Sequence, residues 1–163
     1  MATSEEAIYR LQDDLLRAIQ EANIPAMVNA LRDMATIRQA RGESDVALNT
    51  LDECLRLQRD LGDRAGEAQT LNNTGVLLQE KGELAQAVSR FEASLALWRA
   101  LEDEDNEAVT AFNLAGALFE QGDLHGAEAR LARAVEIHER SNHPQLYNEL
   151  AALEQVREAL EES

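Results

Sequence analysis

Small and apolar residues return along this chain at a fixed step of 40. Gly42, Gly82 and Gly122 keep that interval, and so do Ala7, Ala47, Ala87 and Ala127. Two further series share it: Leu11, Leu51, Phe91 and Leu131, then Leu15, Leu55, Leu95 and Val135. A period of about 20 to 50 residues marks units that cannot bury their apolar face alone and must stack on their neighbours. Stacked repeats expose extended surfaces to other molecules, so binding rather than chemical transformation is the first expectation.

Within each period the residues favour helix. Ala, Leu, Glu, Gln and Arg dominate, and the 163 residues include only two prolines. No alternating β-branched run reaches strand length. The apolar spacing predicts a leading helix over 4–22, with Ala7, Leu11, Leu15 and Ile19 on one face and Thr3 and Glu6 as a capping box. Three helix pairs follow over 26–61, 65–101 and 106–140, then a closing helix over 144–160. Gly42, Gly82 and Gly122 each close the turn inside a pair, where a positive φ is needed. Pro25 suits the first turn of the second helix, and Ser44 or Asp45 the cap of the third. The acidic run Glu102 to Asp105 precedes the third pair, where a helix N-terminus favours negative charge. The expected fold is all-α, a solenoid of eight antiparallel helices in a single domain over 1–163.

Charge narrows the partners. Thirty-one acids against 15 bases give a net charge of −16, which opposes nucleic-acid backbones and anionic membranes. The same charge attracts a basic or amphipathic segment, besides keeping the protein dispersed. No apolar run approaches a membrane span, and MATSEEAIYRLQDD lacks the apolar core of a secretion signal. Cys54 is the sole cysteine, placed to act as a small core residue. These features point to the cytoplasm, and a single lysine among the bases, Lys81, accompanies many GC-rich bacterial genomes.

Catalytic constellations are missing. His125, His138 and His143 are scattered, and no zinc-binding H-E-x-x-H, phosphate loop, nucleophile elbow or paired cysteine occurs. His138 reads as a surface cation near a helix C-terminus. No catalytic residue, metal or cofactor is expected.

The second period reads Leu71-x-x-Thr74-Gly75-x-x-Leu78, then Ala87-x-x-x-Phe91. The third has Leu114-Ala115-x-x-Leu118 and Ala127-x-x-x-Leu131, the first Met34-Ala35-x-x-Arg38 and Ala47-x-x-x-Leu51. This pattern resembles the tetratricopeptide repeat over about residues 26–140. The step of 40 and the run Leu71-Asn72-Asn73 are similar to the longer repeats of kinesin light chain. The first tryptophan and last proline of the family pattern are absent.

The resemblance implies a concave face lined by the first helix of each pair, which takes up a peptide or helix of a partner. The positions that would flank its core stripe are Asn29, Arg32, Asp33 and Thr36, then Gln69, Asn72, Asn73 and Val76, then Val109, Phe112, Asn113, Gly116 and Phe119. The amides of Asn73 and Asn113 suit the backbone of an extended peptide, or else tie neighbouring helices together. Phe112 and Phe119 offer an apolar anchor, or else pack into the core. The family's clamp for acidic C-terminal tails needs bases where this chain has Asp33, Asn73, Val109 and Asn113, with only Arg32 basic. The expected function is a non-catalytic adaptor. The alternatives are a self-assembling scaffold, as a dimer or higher oligomer, and then a small-molecule sensor or enzyme. Glu154 would stand where Gly75 and Ala115 stand in their helices, which opposes open-ended stacking.

Overall fold

The computed structural model describes residues 4–163, which form eight helices and, among those described, no strand. They are α1 (Ser4–Gln20), α2 (Ile24–Ala40), α3 (Ser44–Leu61), α4 (Arg64–Glu80), α5 (Leu84–Ala100), α6 (Glu104–Gln121), α7 (Leu124–Ser141) and α8 (Leu146–Glu161). Thr3 of the expected capping box lies outside the described residues. Contacts gather the chain into two compact units, Met1–Thr70 and Leu71–Ser163, with the boundary inside α4.

The helices end for two different reasons. Gly42, Gly82 and Gly122 have φ of 75°, 77° and 89°, a left-handed conformation that glycine adopts without strain. A second left-handed series lies halfway between them, at Ala22 (φ 50°), Gly62 (70°), Glu102 (57°) and Asn142 (51°). These four are also 40 apart, yet only one is glycine, so the sequence pattern conceals them. The chain therefore turns sharply every 20 residues. From 22 to 122, the residue after each left-handed position immediately precedes the next helix. Asn23 caps α2 by accepting from Ala26 N–H (3.1 Å), Asp103 caps α6 through Asn106 N–H (3.1 Å), and Asp123 caps α7 through Gly126 N–H (2.9 Å).

Three expected starts shift. Glu43, rather than Ser44 or Asp45, holds the cap position of α3 and makes no capping bond, because its carboxylate pairs with Arg41 (2.7 Å) and Arg38 (3.7 Å). The third pair begins at Glu104, inside the acidic run, because Asp103 supplies the cap. The last helix begins at Leu146 rather than Pro144. There His143 accepts from Gln145 N–H through Nδ1 (3.2 Å) and from Leu146 N–H through its carbonyl (3.1 Å), which closes a turn around Pro144.

In the first unit Val28 and Leu31 of α2 pack with Cys54 and Leu57 of α3, and Leu15 of α1 joins them. Burial raises the Cys54 thiol to about 11, so it acts as a small core side chain, with Sγ 3.8 Å from the Val28 carbonyl. In the second unit Phe91 is fully buried and its ring lies against Gly75, where an added Cβ would come within 2.6 Å of Cε1. The small residue at 75 thus makes room for an aromatic ring. Trp98 is buried as well, and Glu154 is exposed.

Candidate functional site

In the second unit α6 is buried along most of its girth, including Ala108, Ala111, Leu114, Ala115 and Leu118. One flank remains half-buried: Val109, Phe112, Asn113, Gly116 and Phe119, with exposed Glu120 at its end. These positions recur every three or four residues and form one stripe. On α4 the half-buried Asn73, Val76 and Gln79 and exposed Glu80 form a matching stripe. Asn113 donates from Nδ2 to Asn72 Oδ1 (3.0 Å), and Gln79 donates from Nε2 to Glu120 Oε1 (2.6 Å). The two stripes are therefore neighbours.

This geometry separates the predicted residues by role. Asn72 is only 7% exposed, and its bond to Asn113 is a cross-helix tie. Phe112 and Phe119 are neither core nor fully exposed, and both keep part of their rings on the flank. Gly116 leaves space that the Gln79 amide borders, 3.4 Å from where a Cβ would stand. The surface so formed is apolar along its middle and acidic at Glu80 and Glu120. The second unit holds 18 acids and seven bases, a net charge of −11.

In the first unit Asn29, Asp33 and Thr36 are exposed and Arg32 is half-buried. Arg32 donates to Asn29 Oδ1 (3.0 Å), and its carbonyl accepts from the Thr36 hydroxyl (3.1 Å). Gln69, at the start of α4, is half-buried.

Three polar features escape sequence reasoning. His138 is not a surface cation: it is fully buried, its Nδ1 lies 2.7 Å from Oε1 of buried Glu149, and its ring stacks on His143 with centroids 4.0 Å apart. Glu107 is buried between Arg99 Nε (3.0 Å) and Arg133 Nε (3.3 Å). Burial alone would push its carboxyl up, but the hydrogen bonds and charges of the two arginines outweigh that and hold it below its ordinary value. Glu107 and its arginines line an open cleft of about 640 Å³ with Glu102 and Glu104, and Glu104 pairs with Arg140 (3.1 Å). Gln58 is buried too, and its Oε1 has no hydrogen-bond partner. The one available signal is a polar residue at a repeat position that is apolar elsewhere: Gln58 and His138 stand where α1 and α5 place Ala18 and Trp98.

Among the described residues no cluster of His, Cys, Asp and Glu is placed to hold a metal ion, and no helix is long and apolar enough to cross a membrane.

The tetratricopeptide repeat family model matches residues 26–100 and 68–140. The chain belongs to this family, whose members serve in general as protein-interaction modules. No curated protein matches the sequence closely enough to count as a relative. Solved structures with the same fold include BtubC (BKLC) from P. vanneervenii, 20% identical with a TM-score of 0.82 over 92% of this chain and 63% of that one. The TPR-like repeats of a putative kinesin light chain from Podosopora anserina are 19% identical, with a TM-score of 0.78 over 98% and 80%. A Rap protein complexed with competence and sporulation factor is 15% identical, with a TM-score of 0.68 over 96% and 50%. This chain thus spans less than two thirds of BtubC and half of that Rap protein.

Proposed function

We propose that the protein is an adaptor that takes up a peptide or helical segment of a partner along the paired stripes of α4 and α6. One observation carries the reading: Val76, Val109, Phe112, Gly116 and Phe119 form a half-buried apolar row beside the Asn113 amide, on helices whose other flanks are closed. Side chains held half out of a core cost little ordering entropy when a partner covers them, and aromatic anchors dominate such interfaces. Glu80, Glu120 and the net charge of the unit favour a segment with apolar residues on one side and basic residues at its flanks. A Rap protein of the same fold was solved with a bound factor, which is in keeping with this mode. The helix pairs at 26–61, 65–101 and 106–140 are the repeat units of this reading.

The test is capture of partners from a lysate by the wild-type chain and by Phe112→Ser, with a photo-crosslinking residue at position 109 locating the contact. A protein lost by a still-folded Phe112→Ser and crosslinked at 109 supports the adaptor. Equal capture by both, with no crosslink, moves the binding surface elsewhere. Asn113→Ala is a poor probe, because it also leaves the buried Asn72 carbonyl unpaired.

A further inference from the structure

The first unit contains a cavity of about 340 Å³ between α2, the end of α3 and the turn that leads into α4. Pro25, Val28 and Leu61 give it an apolar wall, and Asn29, Arg32, Gln58 and Asp63 complete the lining. The polar groups are sorted by sign. On the α2 side stand the donors. Arg32 is half-buried and gives one N–H to Asn29, and among the described residues no carboxylate pairs with it, although the chain has 31 acids. On the side of α3 and the turn stand the acceptors. Gln58 is 1% exposed with an unpartnered Oε1, and Asp63 carries a carboxylate of which Oδ1 accepts from Gly66 N–H (2.9 Å).

A buried amide oxygen without a donor is costly, and Ala18 and Trp98 at the same repeat position avoid that cost. The lining therefore lacks a donor at Gln58, an anion at Arg32 and apolar atoms against the exposed Pro25 and Leu61. A simple anion would meet Asp63 and the Gln58 oxygen, and a simple cation would meet Arg32. A zwitterion with an apolar side chain satisfies both poles and the wall.

We propose that this cavity binds a free apolar α-amino acid. The carboxylate is held by Arg32 and the Asn29 amide, the ammonium by Gln58 Oε1 and Asp63, and the side chain by Pro25, Val28 and Leu61. The volume lies at the lower end of the range of roughly 300–1,000 Å³ that small-molecule sites occupy. The site uses residues of the first unit alone and stands or falls independently of the adaptor face.

Calorimetric titration of the full chain with L-leucine, N-acetyl-L-leucine and L-leucinamide tests it. Leucine should give a saturable heat, and blocking either end should weaken binding at least about tenfold, since each block removes one set of charge-assisted hydrogen bonds. Arg32→Gln and Gln58→Leu should each weaken leucine binding by a similar factor. If Gln58→Leu melts early, Arg32→Gln, on a half-exposed side chain, decides the matter. No saturable heat from leucine, valine, methionine or phenylalanine at millimolar concentration overturns the proposal and leaves the cavity to water. Equal binding of N-acetyl-L-leucine also overturns it, because the cavity would then read only a carboxylate.

Discussion

Gln58 in the first unit and His138 in the second occupy the same place in the repeat, 80 residues apart, and both are buried and polar. Their surroundings differ. His138 meets Glu149 of α8 at 2.7 Å and stacks on His143, so a helix–helix junction is built around it. Gln58 keeps an acceptor without a partner and borders a cavity. A repeat template therefore dictates which positions are covered, and it leaves open what a covered polar group does. In one unit it ties helices together, although His138 Nε2 and Glu149 Oε2 still lack partners; in the other no side chain meets its oxygen and a cavity adjoins it, where a ligand has something to gain.

Removing either half of the buried pair should have the largest effect. Glu149→Leu strands the His138 imidazole in a closed core, and His138→Leu strands the carboxylate. Each should cost roughly 3 kcal/mol, within the range seen when one partner of a buried pair is deleted. The double variant replaces both by apolar groups and should recover most of that loss. Gln58→Leu, at the equivalent place, should be neutral or stabilising by about 1 kcal/mol, since it removes an unsatisfied buried oxygen. Urea denaturation of the four variants measures this. A Gln58→Leu protein as weakened as His138→Leu would erase the contrast between the units.

The next effect concerns packing. The second unit sets Gly75 against Phe91, where the first has Ala35 and Leu51 at the matching positions. Gly75→Ala improves helix propensity by about 1 kcal/mol but drives a methyl into a fully buried ring that cannot step aside. The net change should be a loss of about 1–2 kcal/mol, by the usual cost of overpacking. Gly75→Ala combined with Phe91→Leu reproduces the pairing of the first unit and should regain stability relative to Phe91→Leu alone. Strictly additive losses in the double-mutant cycle would show that ring and glycine are not a matched pair.

Much of this architecture is legible in the residue pattern itself. The helices and the turns at Gly42, Gly82 and Gly122 follow from spacing, whereas the packing of the Phe91 ring against Gly75 is a contact between helices that spacing does not give. The second turn series stays hidden because three of its members are Ala22, Glu102 and Asn142, which carry side chains into a conformation that usually selects glycine. His138 misleads because its partner lies 11 residues on, beyond a turn, and helix periodicity cannot reveal a contact across a junction. For the same reason spacing places Asn113 on the flank of α6 without disclosing its bond to Asn72. Glu107, one of five acids in six residues, gives no hint that it is the one buried between Arg99 and Arg133.

That convergence makes a prediction in pH. The folded carboxyl of Glu107 lies below its ordinary value of 4.5, so the folded state releases this proton more readily than the unfolded state. Its stabilisation is complete above the unfolded value and is lost as pH falls through the folded one. Between about pH 5 and pH 3 the wild type should therefore lose more stability than Glu107→Gln, and the two curves should converge at the acid end. The first unit has a simpler counterpart: Glu67 meets Arg59 alone, at 2.5 Å, with the arginine half exposed. An exposed single pair contributes about 0–1 kcal/mol, so Glu67→Gln at pH 7 should change stability less than Glu107→Gln does. Equal changes would mean that the second arginine adds nothing.

The smallest effect separates the units at their second turn series. Gly62 in the first and Glu102 in the second hold the same left-handed position, with φ of 70° and 57°. For a residue with a Cβ that conformation costs roughly 1–2 kcal/mol. Glycine avoids the strain but widens the unfolded ensemble, which returns about 0.4–1 kcal/mol of the gain. Glu102→Gly should therefore stabilise the chain by about 0.5 kcal/mol, and Gly62→Ala should destabilise it by a similar amount. Opposite signs in paired melts of the two variants are required. If both substitutions destabilise, the Glu102 side chain contributes something its backbone strain conceals, and the two turns are not equivalent after all.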